Sequence, residues 1–129
     1  MTEVPQLYKC AICGNVVEVV HKGASSLVCC SEDMTLMKEI TPNEDDAHFA
    51  HVEVIDELNK KVTFNHPQSE DHHIDFIEVY SVNKKYLKRK HLLHDEKAEL
   101  VFQCHCNEQF YVRVYCNIHG VQQTLWINN

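Results

Sequence analysis

From Val52 onward, apolar and polar positions alternate with a period of two, the pattern of strands that bury one face. Val52-Glu53-Val54-Ile55 and Lys61-Val62-Thr63-Phe64 flank Asn59-Lys60 and predict a hairpin. Further β-rich runs cover Ile74 to Val82, Tyr86 to Leu93, Ala98 to Cys104, Gln109 to Tyr115 and Val121 to Ile127, with turn-forming residues between them. No stretch carries the 3.6-residue period of an amphipathic helix. About seven short strands in about 80 residues predict an all-β, two-sheet antiparallel sandwich of immunoglobulin type.

Residues 7–37 follow a different rule. Cys10-Ala11-Ile12-Cys13-Gly14 is a Cys-x-x-Cys knuckle in which Gly14 lets the backbone turn amides toward sulfur. Asn15 to Val20 reads as a strand, a polar turn follows, and Leu27-Val28 leads into the vicinal pair Cys29-Cys30. So short a unit buries too little surface to fold alone, so a bound metal would supply much of its stability. The polar, acidic stretch from Lys38 to Asp46, containing Pro42, reads as a connection. The expected organisation is a small metal-bound domain over residues 1–38 and a sandwich over residues 39–129.

Composition narrows the chemistry. The 129 residues carry a formal net charge of −7, which does not support nucleic-acid binding. The basic cluster Lys84-Lys85 and Lys88-Arg89-Lys90 reads as a solvated strand end. No apolar run reaches membrane-spanning length, and Met1-Thr2-Glu3-Val4-Pro5 does not open a signal sequence, so the expected location is the cytoplasm, with no membrane partner. There, 7 cysteines and 10 histidines point to metal binding or redox chemistry rather than a disulfide framework.

Two constellations could hold metal. Cys10, Cys13, Cys29 and Cys30 make a tetrahedral sulfur site for iron or zinc, and the vicinal half should distort it, which favours redox iron. Near the C-terminus, Cys116-Asn117-Ile118-His119-Gly120 places a thiolate and an imidazole three residues apart. Upstream, His66 and His72 bracket a loop opened by Pro67. Three histidines and one cysteine leave room for another histidine and one open position, a set that suits redox iron better than structural zinc. His73 follows His72 on the opposite face of any strand, so only one of them should join this site. Cys104 and Cys106, with His105 between them, read as packed or free thiols, and His21, His91, His94 and His105 as surface residues.

Together these residues resemble the desulfoferrodoxin family of superoxide reductases over essentially the whole chain. Tyr8-Lys9-Cys10-x-x-Cys13-Gly14-Asn15, Val17-Glu18-Val19 and Leu27-Val28-Cys29-Cys30, followed by Glu32 and Met34, look like its desulforedoxin-type domain. His66-Pro67-x-x-x-x-His72-His73-Ile74 and Cys116-Asn117-Ile118-His119-Gly120 look like its catalytic sandwich. The resemblance implies two iron ions. One sits among the four cysteines as an electron-transfer centre, and one in a square pyramid of four equatorial histidines and an axial thiolate. Carried over by motif, His66, His72 and His119 are equatorial ligands and Cys116 is axial. For the fourth histidine the family runs Glu-Lys-His-Val-Pro-Val-Ile-Glu. Aligning the following strand, and Asp45 and Ala47 before it, makes His51 the ligand; His48 competes if Asp46 stands for the family's glutamate. Under the His51 alignment, Phe49 and Ala50 replace the glutamate and the lysine that attracts the anionic substrate, so steering should be weaker.

The implied activity is one-electron reduction of superoxide to hydrogen peroxide, served by a rubredoxin-like donor and carried by a homodimer. Two other classes compete. A non-catalytic iron electron carrier or redox sensor would keep both irons after losing the Glu-Lys pair. A zinc-stabilised binding module would be colourless.

Overall fold

The computed structural model describes residues 1–128 and contains only strands, turns and loops among them. It divides into two compact units, Met1–Lys38 and Glu39–Asn129.

In the first unit, β1 (Leu7–Lys9) pairs antiparallel with β2 (Val16–Glu18) and with β5 (Thr35–Leu36). A separate ribbon joins β3 (Val28–Cys29) to β4 (Glu32–Asp33). These strands are two or three residues long, so few backbone bonds hold each one. Leu7, Cys10 and Val19 are buried here, but the protein's main hydrophobic cluster lies entirely in the second unit.

That second unit is a seven-stranded sandwich. One sheet has the order β10 (Glu99–Gln103), β7 (Asn59–Thr63), β6 (His51–Val54). The other runs β12 (Gly120–Ile127), β11 (Gln109–Cys116), β8 (Ile74–Tyr80), β9 (Leu87–His91), and every pairing is antiparallel. Alternation supplies the core: Val62 and Leu100, Phe102 from one sheet face Ile77, Val79, Phe110, Val112 and Val114 from the other. The strands fall where period-two alternation places them. The first hairpin differs, because Asp56 Oδ1 accepts the backbone N–H groups of Leu58 and Asn59 at 2.8 and 2.7 Å. That side-chain turn ends the loop early, and Asn59-Lys60 become strand rather than turn.

The four-stranded sheet also buries charge. Glu78 and Arg113, both with no exposed surface, pair across β8 and β11, with Arg113 Nε 2.8 Å from Glu78 Oε1. Arg113 Nη1 reaches Glu39 at 2.9 Å, and Arg89 Nη2 holds the second oxygen of Glu78 at 3.1 Å. Each charge is therefore compensated, as burial requires.

Candidate metal centres

The first unit brings its four cysteines together, with all four sulfurs within 4.8 Å of one another. Cys10 and Cys13 lie in the loop after β1, where Gly14 adopts φ +83° and its N–H reaches the Cys10 carbonyl at 3.0 Å. Cys29 ends β3. The turn into β4 is made by Cys30 and Ser31, with φ of 53° and 64°. A two-residue hairpin of the twist-matched type needs positive φ at both central residues, and here neither is glycine. The vicinal cysteine pair thus turns its two sulfurs inward at the cost of an unfavourable backbone region. The backbone N–H groups of Cys13 and Ile12 pull the Cys10 thiol down to about 6. Hydrogen bonding with Cys13 and Cys10 pushes Cys30 up to about 12, and Cys13 and Cys10 likewise raise Cys29. One readily formed thiolate, Cys10, beside two thiols that resist ionisation, Cys29 and Cys30, is the arrangement a cation would resolve.

The second centre sits at one end of the sandwich. Cys116, fully buried, is the last residue of β11, where the register against β8 shifts between Tyr115 and Cys116. The turn into β12 carries His119 back over it, with Gly120 at φ +76° closing the turn. The His119 backbone N–H lies 3.5 Å from Cys116 Sγ, and His119 Nδ1 lies 3.6 Å from it. Asn117 ties this turn to the loop after β7. Its backbone N–H donates to the His73 carbonyl at 3.1 Å, and its side chain accepts from His73 N and donates to the Asp71 carbonyl. Gln68 braces the same loop by accepting the Ile74 N–H at 2.9 Å.

Four imidazole rings close on the sulfur. Their centroids are separated by 4.7 Å from His48 to His66, 4.6 Å from His66 to His72, 5.0 Å from His72 to His119 and 4.9 Å from His119 back to His48. Cys116 Sγ lies 3.6 Å from His66 Nε2. The ligating atoms of His48, His66, His72 and Cys116 all fall within 4.8 Å of one another.

The protons show what this ring lacks. His48 Nδ1 is 2.7 Å from Asp46 Oδ1, and His66 Nδ1 is 2.7 Å from the Pro67 carbonyl. Both partners only accept, so each Nδ1 carries its ring's proton and each Nε2 presents a lone pair. Those two Nε2 atoms face each other at 3.2 Å, and the buried His72 Nε2 has no hydrogen-bond partner among the described residues. Lone pairs aimed at one another in a buried site are unfavourable without a cation between them. The residues therefore fit a metal ion. Burial lowers the basicity of His66 and His72, keeping the rings neutral and ready to ligate. The backbone N–H and imidazole of His48 hold the Asp46 carboxyl below its ordinary range.

The ring corrects the alignment on one point: it contains His48, and His51 lies outside it. Ala50 is buried and Val52 packs against the core, so alternation turns His51 outward, where it is exposed with its ring 5.3 Å from Phe49. His48 precedes the strand in a turn fixed by Asp46, whose carboxylate takes the His48 N–H at 2.8 Å. The signal was available in Asp46-x-His48 and in the phase of β6. His66, His72, His119 and Cys116 are brought together, while His73 turns away to the Ser69 carbonyl and Asp75. Cys104 and Cys106, expected as packed or free thiols, are joined as a disulfide. Sequence reasoning also passed over Asp46 as the partner of a ligand and over Lys60 as a fully buried cation.

The fold is similar to those of solved superoxide reductases. The superoxide reductase from Treponema pallidum superposes with a TM-score of 0.72, covering 92% of this chain and 96% of that one at 22% identity. A single-iron superoxide reductase from Giardia intestinalis matches 65% of this chain and 100% of its own at TM-score 0.55 and 13% identity. At these identities the likeness is one of fold. The family follows from sequence. Residues 2–37 match the desulfoferrodoxin N-terminal domain and residues 39–126 the desulfoferrodoxin domain, so the chain belongs to the desulfoferrodoxin family. It is 42% identical to a desulfoferrodoxin homolog of Archaeoglobus fulgidus, across 96% of this chain and 99% of that protein. It is also 42% identical to the desulfoferrodoxin of Nitratidesulfovibrio vulgaris, across 89% and 91% of the two chains. A stretch of 34 residues, 26% of this chain, is 50% identical to the desulforedoxin of Megalodesulfovibrio gigas, covering 92% of that protein.

Proposed function

We propose that this protein is a cytoplasmic superoxide reductase, reducing superoxide by one electron, with two protons, to hydrogen peroxide. The observation that carries the reading is the closed ring of four imidazoles around the buried Cys116 sulfur, with His119 exposed at its edge. Five donors are fewer than iron can take, which would leave room for a small substrate. In this reading His48, His66, His72, His119 and Cys116 would hold an iron ion able to supply the electron. Cys10, Cys13, Cys29 and Cys30 would hold a second iron suited to electron transfer from a rubredoxin-like donor, in a homodimer.

The chain's own residues divide the remaining work. Cys116 would offer a bound metal a buried sulfur donor, which would enrich it in electron density. Neutral imidazoles add no negative charge that would repel an anion. Asp46 fixes the tautomer and orientation of His48. Because both contacts of that carboxylate oxygen go to His48, Asp46 is committed to the ligand rather than to the open position. Ala47 stands where the family has its lysine, so this site draws its anionic substrate with little electrostatic help.

The test is rapid mixing of fully reduced, iron-loaded protein with a calibrated superoxide pulse, following the thiolate-to-ferric absorption band and peroxide yield. Fast oxidation with about one peroxide per superoxide supports the reductase. The absence of lysine at position 47 favours one second reading, an iron electron carrier or redox sensor. Slow or absent oxidation with both irons in place would select it.

A further inference from the structure

The disulfide between Cys104 and Cys106 lies outside both metal centres, in the loop from β10 to β11. Cross-links stabilise by restricting the unfolded chain, and the effect grows with the loop they close. A ring that closes across one intervening residue is at the bottom of that scale, so stabilisation gives little reason for the pair. Its surroundings suit chemistry better. Lys60, with no exposed surface, extends beneath the loop and donates to the Cys104 carbonyl at 3.2 Å, the Asn107 side chain at 2.9 Å and the Glu57 carbonyl at 3.3 Å. The ammonium thus holds the loop in place through the Cys104 carbonyl and the Asn107 side chain on the two sides of Cys106. The Cys106 backbone N–H lies 3.0 Å from Cys104 Sγ, a donor that suits Cys104 to the role of resolving thiolate and of leaving group in exchange at Cys106. Cys104 is buried, whereas Cys106 is half-buried and lines an open cleft of about 550 Å³ between Ser81–Asn83 and His105–Gln109.

We infer that Cys104 and Cys106 form a reversible dithiol–disulfide site that reacts with hydrogen peroxide. The accessible Cys106 thiolate attacks one peroxide oxygen. The O–O bond breaks, a proton is taken up, and Cys106 sulfenic acid and water result. Cys104 sulfur then attacks the Cys106 sulfur and releases a second water as the S–S bond forms. In sum, two thiols are oxidised and one peroxide is reduced to two waters. A dithiol reductant of the thioredoxin class, entering by the cleft, returns two electrons and two protons by exchange at Cys106.

The full-length, metal-loaded chain tests this without superoxide, so the outcome is independent of the reductase reading. Protein reduced with dithiothreitol and freed of it is exposed to one equivalent of peroxide, then alkylated and mapped by peptide mass. Before peroxide, the peptide containing residues 104–106 should take two alkyl groups; after peroxide it should take none. Cys104→Ser should instead accumulate a dimedone-reactive sulfenic acid at Cys106, and Lys60→Met should slow disulfide formation at least about tenfold. Cys106→Ser should leave Cys104 alkylatable at that peroxide dose. A pair that dithiothreitol opens only on unfolding, or two thiols that survive the peroxide as well as unrelated surface thiols would, overturns the inference.

Discussion

In the first unit four thiols are held by strands of two or three residues and a turn made of two non-glycine residues in the left-handed region, whereas in the second a thiol and four imidazoles are carried on a seven-stranded sandwich. The hydrophobic cluster belongs to the sandwich alone. There the scaffold positions the ligands. Cys116 closes a central strand, Asn117 ties two loops together, and Asp46 and Pro67 orient two rings through their outer nitrogens. In the first unit the dependence runs the other way, because the ligands must hold the scaffold. A ligand cluster that must organise its fold and a fold that organises its ligand cluster thus coexist in one chain.

The largest effect that would break this contrast comes from stripping metal with a chelator. Backbone amides of Leu7–Lys9 and Val16–Glu18 should exchange hydrogen at nearly unfolded rates, while Ile77, Val79, Val112 and Val114 remain protected. Equal protection in both units would contradict it. Next comes Arg113→Met, which takes from the buried Glu78 the guanidinium that meets its Oε1, while Arg89 still meets Oε2. The sandwich should lose about 3 kcal/mol in denaturant unfolding, the low end for breaking a buried pair, with no change in the absorption of the sulfur site. Asp46→Ala should weaken metal binding at the second centre about 10- to 100-fold in a competition titration, and leave the first untouched. The smallest effect is on pH dependence. Burial depresses His66 and His72 from the ordinary 6.5, so in metal-free protein the unfolded chain takes up protons first as pH falls. Stability of the metal-free sandwich should be full above pH 6.5 and decline below it, read as a falling melting temperature.

Much of this was legible in the residues. Period-two alternation and runs of β-branched and aromatic residues located all seven sandwich strands, although the central β8 and β11 are buried on both faces. The knuckle, the vicinal cysteines and the Cys116-x-x-His119 turn announced themselves by spacing. The fourth histidine did not, because two histidines lie three residues apart and motif similarity in the strand outweighed its phase. Once Val52 is fixed inward, His51 must face out, and Asp46 two residues before His48 supplies the outer partner a ligand needs. Lys60 escaped notice for a different reason. Nothing local marks a lysine for burial, since its three acceptors come from Glu57, Cys104 and Asn107, brought together only by the pairing of β7 with β10.

The most direct test mixes reduced, iron-loaded parent, His48→Ala and His51→Ala proteins with the same superoxide pulse. The account predicts about one peroxide per superoxide from the parent and from His51→Ala, and a loss of both the thiolate-to-ferric band and the fast reaction in His48→Ala. A fast, full peroxide yield from His48→Ala with loss in His51→Ala would contradict the assigned ring, and an inert parent with both irons bound would contradict the reductase itself.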